Sequence, residues 1–335
     1  MKIRVLSESD CRAVLGMAAA IDIQAEAFGL LADGRSVEGL RSFAISDAPP
    51  GVAIFNPCFL LGGAGFGIKV VSDFYDNEKK RIPRMSALVV LFDGTTGYPQ
   101  TMMEAGYLTD LRTGAGTGLA ARHLARRDSR TVAIVGAGRV ARNQLEALAT
   151  AFDLQTVLVA TRSEARGQDF IRRMRERGGR IPADLRLVAS AEEAVRQADI
   201  VVAATTSETP VIRGDWLRPG TFVASAGAHK PDAREVDTGT VRRAARRVID
   251  SRKDCLKNAG DFLIPQQEGA IEADSIAEIA ELVIGKRPGR QTDAEITYYK
   301  SIGVPIQDLV TARHIERLAI AAGRGTEIEI GGDED

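Results

Sequence analysis

A short apolar run, Thr131-Val132-Ala133-Ile134-Val135, leads without a break into Gly136-Ala137-Gly138-Arg139-Val140-Ala141. No other stretch restricts the fold of this chain as strongly. Five β-branched or small apolar residues in a row predict a strand buried on both faces, as strands of a parallel sheet are. Gly136 permits a tight turn out of that strand, and Gly138 lets the backbone come close to a pyrophosphate. Ala141 allows the following helix to lie near the sheet. A helix opening at Arg139 and Val140 aims its first amides at phosphate oxygens. A second apolar strand at Thr156–Thr161 closes the strand–helix–strand unit within about 30 residues. A tight turn without a ligand is the plainer alternative, and the complete unit favours a bound dinucleotide over it.

The second strand ends at Thr161-Arg162-Ser163. An NAD site ordinarily places Asp or Glu there to accept from the ribose 2′-hydroxyl. Two hydroxyls and a guanidinium suit a 2′-phosphate instead, so NADP(H) is favoured and NAD(H) is the alternative. The competing reading makes Arg162 a solvated residue at a strand end.

Beyond this unit the alternation continues, with strands at 185–189, 200–205, 222–226, 247–249 and 296–302 and helices at 163–177 and 191–197. This rhythm implies a doubly wound, Rossmann-type parallel sheet. Before residue 116 the pattern differs: Ser7-Glu8-Ser9-Asp10 is a plausible helix start, and 14–31 has helical apolar spacing that ends near Gly34. Strand runs follow at 41–46, 51–61, 65–72 and 86–93, a turn at 94–97 leads into 98–104, and a helix is expected over 109–124. Several of these strand runs alternate apolar and polar residues, which suits a half-covered sheet. A chain of 335 residues suits two domains. The expected organisation is an α/β protein with a Rossmann-type domain at 116–304 and an α+β domain at 1–115. A helix over 306–322 returns to the latter, giving it residues 305–330. The tail 331–335 is expected to be disordered.

Lys and Arg total 44 against 45 Asp and Glu, so no net field favours nucleic acid or a membrane surface. The arginines of 122–130 and 172–180 read as solvated helix faces. The three cysteines, Cys11, Cys58 and Cys255, are scattered, which argues for a reducing compartment and against a disulfide framework. No run of apolar residues approaches the roughly 20 needed to span a bilayer. A soluble, cytoplasmic protein is expected. No spacing of His and Cys suggests a metal.

Lys69, Arg84 and Arg112 each stand at the edge of an apolar run. With Arg41 they form a set able to hold a carboxylate, Arg bidentately and Lys as a point charge. Each alone reads as a surface cation. Together with Tyr107-Leu108-Thr109-Asp110-Leu111-Arg112-Thr113, the glycine loop, Gly227-Ala228-His229, Arg234-Glu235-Val236-Asp237 and Gly303-Val304-Pro305-Ile306-Gln307-Asp308, they make the chain resemble the ornithine cyclodeaminase/μ-crystallin family over nearly its whole length.

The resemblance implies a homodimer whose first domain carries both the subunit contact and the substrate site. It also implies that Arg41, Lys69 and Arg112 clamp a substrate carboxylate. Thr113, Thr205-Thr206-Ser207 and Ala226-Gly227-Ala228 would line the nicotinamide half. One departure bears on the reaction. Where ornithine cyclodeaminases carry a catalytic acid, this chain has His229, read either as a proton donor or as a polar rim residue. The expectation is therefore a ketimine reductase or amino-acid dehydrogenase acting on a small imino or amino acid, with hydride transfer at Cα and Lys69 able to shuttle a proton. The alternatives are an NAD-dependent ornithine cyclodeaminase and a non-catalytic small-ligand binding protein of μ-crystallin type.

Overall fold

The computed structural model describes residues 1–331. In chain order its elements begin with β1 (Lys2–Leu6), α1 (Glu8–Val14), α2 (Met17–Ala32), β2 (Ser36–Glu38), β3 (Ser42–Asp47), β4 (Pro50–Leu60), β5 (Gly65–Phe74), β6 (Met85–Phe92), β7 (Pro99–Glu104) and α3 (Gly106–Leu124). There follow β8 (Thr131–Val135), α4 (Arg139–Ala151), β9 (Thr156–Ala160), α5 (Glu164–Arg177), β10 (Asp184–Leu187), α6 (Ala191–Gln197), β11 (Ile200–Ala203) and β12 (Phe222–Ser225). The chain closes with α7 (Thr238–Arg243), β13 (Arg246–Ile249), α8 (Arg252–Asn258), α9 (Gly260–Gln267), β14 (Ile276–Glu278), α10 (Ile279–Val283), β15 (Thr297–Lys300), α11 (Pro305–Ala321) and β16 (Thr326–Glu329). Two compact units result, Met1–Arg112 with Pro305–Asp335 and Thr113–Val304. The division falls inside the continuous helix α3 and not at 115/116, because no loop separates the two parts there.

In the first unit a sheet runs β16-β1-β7-β6-β5-β4-β2, with β3 also paired to β4. Its strands pair antiparallel apart from β1 beside β7. Helices α2 and α11 pack on each other, and α11 lies against β4 and β5. Period-two alternation then sorts the side chains. Cys58, Leu60, Val71, Val89, Leu91 and Met103 are buried on the helix-covered face. Phe28 of α2 is fully buried there, a contribution of roughly 1.5–3 kcal/mol. On the other face Phe59, Phe66 and Phe92 stack in a row, with centroids 5.3 and 4.7 Å apart, and none of them is buried.

The N-terminal helix differs from expectation. The helix expected to start at Ser7–Asp10 and run to 31 is two helices, broken at Leu15-Gly16, where both residues take extended backbone angles. Ser7 and Asp10 cap the first reciprocally, as a capping box requires. The short strands β1, β2 and β16 were not expected. They exist through pairing with distant partners, which local pattern does not encode. Gly331 sits beside the chain start, its carbonyl accepting from the Met1 ammonium at 2.8 Å. The remainder of the expected tail, 332–335, lies outside the described residues.

The second unit holds an all-parallel sheet ordered β10-β9-β8-β11-β12-β15-β13-β14. Apart from Thr131 and Thr156, every residue of β8, β9, β11 and β12 is buried, the result expected of strands with helices over both faces. Strand order reverses between β8 and β11, which creates the crevice where such sheets take ligands, at the strands' carboxyl ends. Helices α7 to α10 were not anticipated; the longest has eight residues, too short for a clear helical period. The arginines of 122–130 are not all solvated: Arg126 Nη2 donates to Asp199 Oδ1 at 2.8 Å. Those of α5 are, with Arg172 and Arg173 pairing to Asp169 and Glu176 along an exposed surface.

Candidate active site

In the first unit, period-two register along β5 puts Lys69 on the covered face, between Asn56 of β4 and Val89 of β6. Arg112 comes from the second turn of α3. Both are buried, 4% and 7% exposed, so each needs a counter-charge. Asp308, in the first turn of α11, supplies it to both. Its Oδ2 lies 2.6 Å from Lys69 Nζ and its Oδ1 accepts from Arg112 Nε at 2.9 Å. Arg41, just before β3, donates through Nε to the buried Asn56 Oδ1 at 2.9 Å. The expected clamp residues Lys69 and Arg112 are thus brought together, with Arg41 bonded to Lys69's cross-strand neighbour. The end of α11 that carries Asp308 is itself anchored, because Glu38 Oε1 accepts from Ile306 N at 3.1 Å.

Lys69 and Arg112 share one carboxylate, that of Asp308, and Arg41 is near enough to act on Lys69. Burial dominates the Lys69 ammonium and lowers its pKa to about 8; Arg112 and Arg41 push the same way while Asp308 opposes. Asp308 is raised by burial, but Arg112 and Lys69 outweigh that and hold it below the usual carboxylate range. Asp308 was missed as a site residue although its segment was recognised. A lone Asp early in a helix reads as a dipole partner, and only the fold brings it to Lys69.

Arg84 is not part of this set. It forms a two-pronged ion pair with Asp73, at 2.6 and 2.9 Å, and lies over the Tyr75 ring. Met103 is wholly buried in the core, and Ser86 bonds Ser72 at an exposed position.

In the second unit the glycine loop follows β8 as its sequence demands. Gly136 has φ +109°, and a Cβ there would collide with the Ala204 carbonyl beyond β11. Gly138 caps α4 with no side-chain hydrogen bond, and a Cβ at that position meets nothing within 4 Å. Open space over uncapped first-turn amides fits the pyrophosphate of a dinucleotide. Arg139 and Val140 begin the helix, and Ala141 is fully buried against the sheet. Thr113 accepts from Gln144 Nε2 at 3.3 Å through its carbonyl. At the end of β9, Arg162 is exposed, whereas Ser163 is engaged as the cap of α5, accepting from Arg166 N.

The nicotinamide-side loops are more constrained than expected. Thr205 was read as a cofactor contact, yet its hydroxyl donates to Glu235 Oε1 at 2.8 Å. Ser207 Oγ turns to the Thr209 carbonyl, and Thr206 lies between them. Ala226 follows β12, and Gly227 is required because a Cβ there would strike the backbone of Thr205. His229 is exposed, its Nδ1 3.0 Å from the Gly227 carbonyl. The other histidines have local partners or surroundings: His314 pairs with Glu26 at 2.8 Å, and burial beside Arg122 lowers the pKa of His123.

Residues 1–321 match the ornithine cyclodeaminase/mu-crystallin family. The chain is 31% identical to a delta(1)-pyrroline-2-carboxylate reductase of Bacillus cereus, over 97% of its own length and 99% of the relative's. Among solved structures, the delta(1)-pyrroline-2-carboxylate reductase of Thermococcus litoralis, in complex with NADH and L-proline, is 36% identical. It superposes with a TM-score of 0.91, covering 97% of this chain and 99% of that one. An archaeal alanine dehydrogenase dimer with bound NAD is 30% identical with a TM-score of 0.90, over 99% and 100% of the two chains.

Proposed function

The chain belongs to the ornithine cyclodeaminase/mu-crystallin family, within its reductase and dehydrogenase branch, and on that premise we propose that it reduces the C=N bond of a small 2-imino acid to the amino acid. The observation that carries this reading is the buried cluster of Lys69, Arg112 and Asp308. Two cations against one anion leave a surplus positive charge where solvent is excluded, and a substrate carboxylate offsets it. Arg41 adds a third cation to the set. Arg112 then orients the carboxylate and Lys69 acts as a point charge beside it.

When bound, the nicotinamide dinucleotide supplies a hydride to the imine carbon. The imine nitrogen must gain a proton in the same overall reaction. Lys69 is the group suited to hold it, because a pKa of about 8 lets the ammonium give up a proton near neutral pH. Asp308 keeps that ammonium in place and charged. The residues for the dinucleotide are Gly136, Gly138, Arg139, Val140 and Ala141 around the phosphates, with Thr113, Thr205–Ser207, Ala226 and Gly227 at the nicotinamide. Thr161, Arg162 and Ser163 would take the ribose side. The exposed guanidinium of Arg162 favours NADP(H) over NAD(H). His229, where a cyclodeaminase carries its acid, makes ring-closing deamination the weaker reading.

Relatives point to two substrates to try first, the cyclic imine Δ1-pyrroline-2-carboxylate and pyruvate with ammonium. The test is loss of NADPH and NADH absorbance with each. Turnover on at least one, faster with NADPH, supports the proposal. Ammonia release from ornithine without net change in cofactor would make the chain a lyase instead.

We also propose that the chain is a homodimer, formed through the open face of the first unit's sheet. Phe59 and Leu88 are 38% and 47% exposed there, and Ile68, Val70, Val90 and the stacked phenylalanines are half-buried around them. A continuous apolar face of this kind suits a second copy.

A further inference from the structure

The two loops assigned to the nicotinamide half leave neighbouring strands, β11 and β12. A single carboxylate from a third segment joins them. Glu235 is fully buried, and both of its oxygens are engaged. Oε1 accepts from Thr205 N at 2.7 Å and Thr205 Oγ1 at 2.8 Å; Oε2 accepts from Gly227 N at 2.6 Å and Ala228 N at 3.1 Å. Four donors on one buried carboxylate is a geometry no amide or hydroxyl reproduces, since a carboxylate accepts at both oxygens and donates at neither.

Glu235 is in turn held by groups that have no place in the dinucleotide set. Asp261, opening α9, accepts from Glu235 N at 2.9 Å and Val236 N at 3.1 Å through Oδ1. Its Oδ2 pairs with Lys300 Nζ at 2.9 Å, both side chains being wholly excluded from solvent. Lys300, the last residue of β15, also donates to the Ala228 carbonyl at 2.5 Å. One chain of contacts therefore runs from β15 through α9 to the two loops, and it fixes both sides of the Ala228 peptide. Thr205 passes the restraint on, since its Oγ1 accepts from Ser207 N at 3.2 Å.

We infer that Glu235 is a positioning residue for hydride transfer: backed by Asp261 and Lys300, it sets the separation of the Thr205 and Gly227–Ala228 loops that flank the nicotinamide. This rests on the dinucleotide reading of the second unit and adds to it a residue that touches neither cofactor nor substrate. Its signature is selectivity along the cofactor. The adenosine side lies with the glycine loop and the end of β9, which Glu235 does not contact, so only the nicotinamide side should respond.

The test is Glu235→Gln, studied by calorimetric binding of NADPH and of 2′-phospho-ADP-ribose, which lacks the nicotinamide. NADH and ADP-ribose run in parallel. In Gln the amide nitrogen is a donor, so one loop loses its acceptor. The expected result is a loss of about tenfold or more in NADPH affinity, with 2′-phospho-ADP-ribose binding within about twofold of wild type. Thr205→Val, which keeps the shape and deletes one arm of the clamp, should give a smaller loss. The double variant should lose no more than Glu235→Gln alone, because the two act as one unit. Equal losses for both nucleotides, no loss for either, or strict additivity would overturn the inference. If Glu235→Gln does not fold, Thr205→Val decides the matter by the same pair of nucleotides. A wild type that binds neither nucleotide overturns the dinucleotide reading itself, which the binding data report separately from turnover.

Discussion

On the proposed role of Lys69 as the proton donor, its environment sets how the rate should vary with pH. Its ordinary pKa is lowered to about 8, chiefly by burial. In the reductive direction the ammonium form is needed, so kcat/KM should fall as pH rises through about 8. In the oxidative direction the neutral amine is needed, and the rate should rise through the same pH. Asp308 is the one neighbour that raises this pKa, so Asp308→Asn should move the break to lower pH while weakening substrate binding. A pH–rate profile with its break unmoved in Asp308→Asn would separate Lys69 from the proton transfer. Asp308→Ala leaves two buried cations without a partner and should cost roughly 3–5 kcal/mol of stability, read by thermal or urea unfolding. The family resemblance, and not local pattern, singled out Lys69, Arg112 and Arg41: each alone reads as a surface cation, and Arg84, chosen by the same local signal, pairs with Asp73 instead. It left Asp308 and Glu235 obscure because each acts through partners that only the fold brings close: Asp308 is 196 residues from Arg112 and 239 from Lys69, and Glu235 is 30 from Thr205.

Among elements, the turn from β8 into α4 separates two uses of glycine that the sequence motif writes with one letter. Gly136 serves the fold: its φ is +109° and the Ala204 carbonyl occupies the space a side chain would need. Gly138 has ordinary backbone angles and open space above it, so on the dinucleotide proposal it serves the ligand. Gly136→Ala should therefore lower the melting temperature, by more than about 1 kcal/mol of stability. Gly138→Ala should leave melting unchanged and weaken dinucleotide binding. A Gly138→Ala protein that binds as wild type would remove the pyrophosphate from this loop. The long elements, from β4 to β9 and from α3 to α6, lie within a few residues of their sequence expectation because period-two or 3.6-residue patterns run their length. The helix starting at Ser7–Asp10 is in fact two, and the break at Leu15-Gly16 went unseen because it falls inside an apolar stretch whose composition stays helical. The strands β1, β2 and β16 escaped notice because their reason for existing is a partner strand and not a pattern.

At the scale of the molecule, the proposal assigns a different task to each unit: the cation cluster of the first is to hold a carboxylate, and the crevice of the second is to take the dinucleotide. Similarity to reductases and dehydrogenases over nearly the whole chain makes the protein an oxidoreductase of imino or amino acids. The apolar sheet face of the first unit should be covered in solution. Leu88→Asp should convert a dimer to a monomer in sedimentation velocity, and a wild type that sediments as a monomer would refute the homodimer. The doubly wound class was legible from strand–helix alternation alone, whereas the pairing of β13 and β14 beyond β15 depends on crossovers that no local signal announces. Reduction at Cα is tested most directly by isotope transfer. With NADPH carrying two deuteriums at C4 and Δ1-pyrroline-2-carboxylate as acceptor, mass spectrometry should find proline with one deuterium, on the carbon bearing the carboxylate. Proline without deuterium, or no proline at all while every variant and cofactor control is folded, would contradict hydride delivery by this protein.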